Sequence, residues 1–277
     1  MHRAGYFILI LLAVAGVWVA WSMVARQPVA GPPPRQSQNE AGSMMMASKP
    51  DICEERVFEG ARAVLCTVDA TLHDVSLIYG GPDGAVLGSV SKAVTALAAT
   101  GRVPVLAMNA GMYHADMTPV GLYVENGTEI SPLNTDDGFG NFFLKPNGVF
   151  FVRADGSAGV METETYQKAG LTPAFATQSG PMLLIEGEVH PRFLPDGTSK
   201  YIRNGVGVRA DGRIVLAITR DKVSLGSFAR LFRDVAECEN ALFFDGAVSS
   251  LAWGLHMEID AGEPAGPVVA VFEKAVD

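Results

Sequence analysis

The feature that most constrains this chain is a recurring alternation between short β-branched or apolar runs and Gly-containing turn signals. Six Asp-Gly pairs begin at Asp83, Asp137, Asp155, Asp196, Asp211 and Asp245, and three Asn-Gly pairs at Asn126, Asn147 and Asn204. Such dipeptides accept the φ > 0 backbone of tight hairpin turns, so apolar runs on either side read as antiparallel neighbours. The runs are AVLCTVD (63 to 69), VSLIY (75 to 79), VPVLAMN (103 to 109), VGLYVE (120 to 125), FFLKPNGVFFV (142 to 152), MLLIEGEV (182 to 189), VGVRADGRIVLAIT (206 to 219), ALFF (241 to 244) and PVVAVF (267 to 272). Two helices interrupt them. From Ser227 to Cys238 the apolar residues Phe228, Leu231, Phe232, Val235 and Ala236 follow a helical spacing, and Ala85 to Thr100 forms a second helix. Many strands with few helices predict an α+β fold dominated by antiparallel sheet. With no internal repeat and no second linker, residues 51–277 read as one globular domain.

The first 50 residues have a different composition. Tyr6 to Ala25 carries no formal charge and is bracketed by Arg3 and Arg26. Since about 20 apolar residues span a bilayer core and signal-peptide cores are shorter, residues 1–25 read as a signal anchor or signal peptide, with membrane contact through 6–25. Residues 26–50 contain five Pro and no aromatic residue, a composition that cannot bury enough apolar surface to fold. This stretch reads as a disordered spacer, with the globular part exported and inner-membrane-anchored or periplasmic.

The chain has a net charge of -9, with 21 basic against 30 acidic residues. An acidic chain lacks the clustered Lys and Arg that neutralise phosphates, which excludes nucleic acid as a partner. Cys53 and Cys66 are placed to close a loop in an oxidising compartment, and the odd count, with Cys238, leaves at least one thiol unpaired. No Walker loop, HExxH, CxxC or GxSxG occurs. Gly205 to Ala210 matches GxGxxA, yet it leads into the β-branched run DGRIVLAIT where a dinucleotide site needs a helix, so it reads as a hairpin.

Three apolar strands run into Gly and small polar residues: AMNAGMYHAD (107 to 116), FATQSGP (175 to 181) and FFDGAVSS (243 to 250). A fourth segment, Arg203-Asn204-Gly205, sets a cation before a strand. Strand ends hold side chains rigidly and Gly admits a ligand to the backbone, so these segments can build one polar pocket. By count alone Asp245-Gly246 is one more turn. The buried-looking ALFF before it and the hydroxyls of Ser249 and Ser250 after it set it apart.

The ordered strings NAGMY, PVGLYVENG, GNFFLKPNGVFF, FATQSGPMLLI, HPRF, RNGVGV and NALFFDGAVSSL, spanning roughly Cys53 to the C-terminus, resemble the phosphodiester glycosidase family, and its bacterial exported branch most. The resemblance implies a hydrolase that cleaves between a sugar's anomeric carbon and a phosphodiester. Ordinary glycosidases need two carboxylates, but a phosphomonoester leaving group has a second pKa near ~6, so one carboxylate plus cations suffices. On that basis Asp245 is the base or nucleophile, assisted by Asn109. Arg203 is the phosphate clamp through its planar fork. Asn109, Ser179 and Ser249 are donors to phosphate or sugar hydroxyls, with Gly180, Gly246 and Ser250 beside them. An anionic substrate on an acidic protein also needs a local positive focus, for which Arg203, Lys145, Arg192, His114 and His190 are candidates. Lys145 also reads as a solvated hairpin residue, and Asn109 as the partner of a turn.

One departure qualifies the activity. The family pattern is commonly Asp-Gly-Gly before the Ser, and here Ala247 replaces the second Gly. Were that position left-handed or in contact with ligand, a Cβ would cost about 1 kcal/mol or more. The alternative reading is therefore a catalytically inactive glycan- or phosphoglycan-binding envelope protein. No cofactor is evident. Asp116, Asp136 and Asp137 leave a divalent metal open, though their spacing matches no calcium loop.

Overall fold

A computed structural model describes residues 48–274. The expected anchor at 6–25 and nearly all of the expected spacer at 26–50 lie outside the described residues. Among the described residues no helix is long and apolar enough to cross a membrane.

The alternating runs form three sheets in which every pairing of strands is antiparallel. The largest has seven strands, in the order β1 (Cys53–Phe58), β2 (Ala61–Val68), β13 (Ile214–Thr219), β12 (Asn204–Arg209), β14 (Cys238–Asp245), β10 (Met182–Ile185) and β11 (Glu188–Val189). A second contains β16 (His256–Ile259), β15 (Leu251–Trp253), β4 (Leu106–Asn109), β17 (Val268–Glu273) and β3 (His73–Ile78). The third contains β6 (Thr128–Ser131), β5 (Tyr123–Glu125), β9 (Phe175–Ser179), β7 (Gly148–Val152) and β8 (Ala158–Glu162). The period of two along each strand sends one set of side chains inward and the other outward. Val64 and Cys66 of β2, Leu106 and Met108 of β4, and Phe150 and Val152 of β7 all enter one shared core, so the inner faces of the three sheets pack together.

The outward sets are covered by helices. Helix α3 (Leu225–Asp234) lays Phe228, Leu231 and Phe232 on Leu65, Val215, Ala217 and Phe243 of the large sheet. Gly205 and Gly207 make room for it: a Cβ on Gly207 would lie 2.6 Å from Cys238 Sγ and 2.8 Å from Phe232. Helix α1 (Val90–Ala99) covers the second sheet through Val90, Ala93 and Val94. Tyr166 of α2 (Thr163–Ala169) packs on the third, beside Phe151.

Several elements differ from the sequence expectation for local reasons. Helix α3 begins at Leu225 because Ser224 accepts a hydrogen bond from Ser227 N, and it ends before Glu237, whose φ of 55° turns the chain into β14. Helix α1 starts at Val90, where Ser89 caps it by accepting from Lys92 N. The run from 142 to 152 is a strand only from Gly148, since Pro146 has no N–H to offer a ladder and Asn147 Nδ2 instead donates to Phe142 O. Asn147-Gly148 and Asn204-Gly205 open strands rather than turns. Asn126-Gly127, Asp155-Gly156 and Asp211-Gly212 do turn hairpins, with φ of 51° and 75° at the first pair. The GxGxxA run is the β12–β13 hairpin expected of it. Cys53 and Cys66 face each other across β1 and β2 and are disulfide-bonded, while Cys238 is a buried free thiol.

Candidate active site

All three sheets deliver a strand end to one place. Asp245 ends β14 and pairs across the ladder with Asn204, the first residue of β12. Asn109 ends β4, Ser179 ends β9, and Ser249 and Ser250 lead into β15. Asn204 is the hub. Its Nδ2 donates to Asn109 Oδ1 at 3.0 Å and to Asn109 O at 2.7 Å, while its Oδ1 accepts from Asp245 N at 3.3 Å. These two bonds to Asn109 join the second sheet to the large one, and Asn109 Oδ1 also accepts from Ser250 N at 2.9 Å, at the start of the neighbouring strand. Ser179 Oγ donates to Phe244 O at 3.0 Å and so pins the third sheet beside Asp245. The Ser249 hydroxyl lies 2.9 Å from Asp245 O and 3.3 Å from Asn204 Oδ1.

Asn109, Ser179, Asn204, Ser249 and Ser250 are all buried. Buried polar groups need partners, and these supply one another, which fixes the backbone around Asp245. The sequence reading offered Asn109, Ser179 and Ser249 as donors to substrate; here their polar atoms are engaged with the protein. Asn204 was missed as a site residue because its Asn-Gly pair reads as a turn.

Asp245 itself is treated differently. Its Oδ1 accepts from the backbone N–H of Ala247 at 2.7 Å, and no side chain among the described residues hydrogen-bonds its carboxylate. Burial raises its pKa above the ordinary carboxylate value, against the opposing pull of the N–H groups of Ala247, Gly246 and Val248. Ala247 is exposed and its φ is not in the left-handed region, so the Cβ anticipated as a strain causes none.

Arg203 is 2% exposed, just before β12. Its Nε donates to Val223 O at 2.8 Å and its Nη2 to Ser199 O at 2.9 Å, while the guanidinium lies over the rings of Tyr201 and Phe243. The Nε edge of the fork is thus committed to backbone carbonyls. Nη1 points toward the Asp245 loop, where it would lie 3.5 Å from a Cβ built on Gly246. No carboxylate among the described residues pairs with this guanidinium. Burial pushes it down to about 10, so it stays charged at neutral pH.

Tyr113, from the first motif, was also missed. Its ring packs against Gly266, its hydroxyl donates to Pro264 O, and burial, then the charge of Asp245, push it up to about 12. The remaining candidates lie outside the Asn204 network. Gly180 abuts Phe142 O, where a Cβ would come within 2.6 Å. His114 is exposed in a turn, accepting from Met117 N through its carbonyl. Lys145 Nζ donates to Thr135 O and Asp137, each at 2.8 Å. His190 is buried and stacked on Phe193, with its pKa lowered by burial. Among the described residues no three or more His, Cys, Asp or Glu side chains come together as a metal site; Asp116 caps Thr118 and Asp137 meets Lys145.

A search of solved structures finds a similar fold in the zebrafish N-acetylglucosamine-1-phosphodiester alpha-N-acetylglucosaminidase catalytic domain auto-inhibited by its pro-peptide, with a TM-score of 0.58 and 14% identity over 80% of this chain and 82% of that one. A hypothetical protein from Synechocystis matches with a TM-score of 0.53 and 13% identity over 80% of this chain and 62% of that one. The uncharacterized protein YigE of Escherichia coli (strain K12) is 34% identical over 185 residues, 67% of this chain and 72% of its own. The family model described as phosphodiester glycosidase matches residues 103–272, which include every residue of the Asn204 network, and the chain belongs to that family.

Proposed function

We propose that this protein is a hydrolase that cleaves the glycosidic bond of a sugar-1-phosphodiester, releasing free sugar and a phosphomonoester. The observation that carries the reading is a buried, carboxylate-free Arg203 guanidinium aimed at the loop of a half-buried carboxylate, Asp245. A buried cation without an anionic partner is costly, and a phosphate delivered by substrate offsets that cost. Its Nη1 is the free end of the fork for this purpose.

In the reaction the bond between the anomeric carbon and the phosphate oxygen breaks, and its electron pair stays on the phosphate. Water supplies the new oxygen on carbon and gives its proton to Asp245; in the nucleophilic variant Asp245 bonds to the anomeric carbon first and water displaces it. The raised pKa brings Asp245 nearer to working pH, where a general base is most effective. Arg203 stabilises the charge that develops on the leaving oxygen, as a preorganised donor does. Asn204, Asn109, Ser179 and Ser249 hold the Asp245 strand end, and preorganisation of this kind is what positions the carboxylate. The exposed Ala247 offers no observation in favour of a merely binding role.

The cell envelope is the proposed location. It is supported by the uncharged stretch at 6–25 and by the Cys53–Cys66 disulfide, which persists in oxidising compartments. Hydrolysis of a sugar-1-phosphodiester in ¹⁸O-labelled water tests the chemistry: the label is expected in the free sugar. Label in the phosphomonoester instead would mean P–O cleavage and would overturn the proposal.

A further inference from the structure

A cavity of about 220 Å³ lies apart from the Asn204 network, none of whose residues lines it. It sits under helix α1 where the second and third sheets meet, walled by Ile78 of β3, by Leu87 just before the helix, by Ala93, Ala96 and Leu97 on it, and by Phe175 at the start of β9. An apolar cavity of about 150 Å³ holds a benzene ring, so this one has room for a ring and a short substituent.

Its lining carries two charged side chains, Glu125 and Arg102, and they are not a pair. The Arg102 guanidinium lies over the Phe272 ring, 4.1 Å from its centre, and neither residue forms an ion pair among the described residues. Glu125 ends β5 and is partly buried. Its Oε2 accepts from the Tyr123 hydroxyl at 3.0 Å and from Tyr79 N at 3.1 Å, whereas its Oε1 receives no hydrogen bond among the described residues. Burial raises the Glu125 pKa against the pull of those two bonds, the direction expected of a carboxylate that has lost water and gained no cation.

A carboxylate drawn out of water with no cation beside it is complemented by a positive charge that can donate hydrogen bonds, and the walls around it by apolar carbon. A primary ammonium on an apolar body supplies both. Its N–H groups can meet the free Oε1 in a charge-assisted bond, while its body fills empty space against Ile78, Leu97 and Phe175. An anionic ligand would instead have to use Arg102, which is exposed and already rests on Phe272, and it would meet the Glu125 charge across the same small cavity.

We propose that this cavity is a binding site for a small primary amine with an apolar body, held through Glu125. The site does not rest on the phosphodiester glycosidase reading, since binding there needs neither Asp245 nor turnover. The test is saturation-transfer NMR titration of the full-length protein at neutral pH with benzylamine and two analogues of similar size, neutral benzyl alcohol and anionic phenylacetate, repeated with Glu125→Gln, Ala96→Leu and Asp245→Asn. Benzylamine is expected to bind the wild type at least about tenfold more tightly than either analogue. Glu125→Gln keeps an acceptor for Tyr123 and Tyr79 but loses the charge, and should weaken benzylamine at least about tenfold. Ala96→Leu fills the cavity from the helix and should weaken benzylamine and benzyl alcohol alike, while Asp245→Asn leaves both unchanged. Where Glu125→Gln fails to fold, the ranking of the three probes and Ala96→Leu still decide. Absence of benzylamine binding to the wild type, equal or tighter binding of either analogue, or unchanged binding in Ala96→Leu or in a folded Glu125→Gln overturns the site. Amine binding without phosphodiester hydrolysis leaves the site standing and sinks only the catalytic reading; hydrolysis without amine binding does the reverse.

Discussion

Asp155-Gly156 and Asp211-Gly212 at two hairpin tips share a dipeptide and a local bond with Asp245-Gly246, and the physics of the three sites differs. In each case the Asp Oδ1 accepts from the N–H two residues on, at 2.9 Å from Ser157, 3.0 Å from Arg213 and 2.7 Å from Ala247. At the tips the carboxylates face water, the glycines take φ of 85° and 83°, and hydrogen bonding lowers both carboxyl pKa values. At Asp245 the pair ends a buried strand, Gly246 is not left-handed, and burial reverses the direction of the shift. The same motif is a turn where water solvates it and a half-buried carboxylate of raised pKa where it ends a strand near a guanidinium with no carboxylate partner among the described residues.

The sharpest way to break this contrast is to neutralise the carboxylates one at a time. Asp245→Asn is expected to lower kcat/KM for a sugar-1-phosphodiester by about 10³-fold or more. Asp155→Asn and Asp211→Asn should leave the rate within experimental error, and a comparable loss in either would dissolve the distinction. Next in size is Arg203→Lys, which keeps a charge but loses the fork. Steady-state kinetics should show about 10²-fold lower kcat/KM, and denaturant melts a loss of stability, because Val223 O and Ser199 O lose their present donor.

Asn204→Ala tests the support rather than the chemistry. It removes partners from Asn109 and from Asp245 N, so unfolding free energy should fall by about 1–3 kcal/mol. A drop in kcat larger than the change in KM would mark a positioning role.

Stability against pH separates the two classes of aspartate by sign. A raised folded-state pKa means that ionised Asp245 destabilises the fold; that penalty is present at neutral pH and is relieved as pH falls through the raised value. Asp245→Asn should therefore melt at or above the wild-type temperature at neutral pH. The depressed pKa values of Asp155 and Asp211 contribute stability above the unfolded value of about 3.9, which is lost as pH falls through the folded ones, so their Asn variants should melt slightly lower at neutral pH. Thermal scans of the three variants between acid and neutral pH check the signs. The smallest effect belongs to Ala247→Gly. With no left-handed strain to relieve, activity should change less than about twofold, while the freer unfolded chain lowers stability by about 0.4–1 kcal/mol. A large gain in activity would restore the inactive-binder alternative.

How much of this was legible in the sequence varies with the range of the forces involved. Strands and hairpin turns follow from side-chain alternation and from the φ preferences of Asn-Gly and Asp-Gly, which are local. Asp245 and Arg203 stood out because each adjoins an apolar strand. Asn204 did not, because only a pairing between β12 and β14, and an Asn109 brought in from 95 residues away, turn a nominal turn residue into the hub of the network. The break before Gly148 was legible in part: Pro146 cannot donate to a ladder, but nothing local shows that Asn147 will bond backward to Phe142.

The central claim, that Asp245 is the reacting carboxylate of a phosphodiester glycosidase, is tested most directly by one assay. Purified wild-type and Asp245→Asn protein are incubated with a small panel of sugar-1-phosphodiesters, and free sugar and phosphomonoester are measured together. The account predicts equal amounts of both products from the wild type and almost none from a variant that still melts cooperatively. Undiminished release of both products by that folded variant would contradict it.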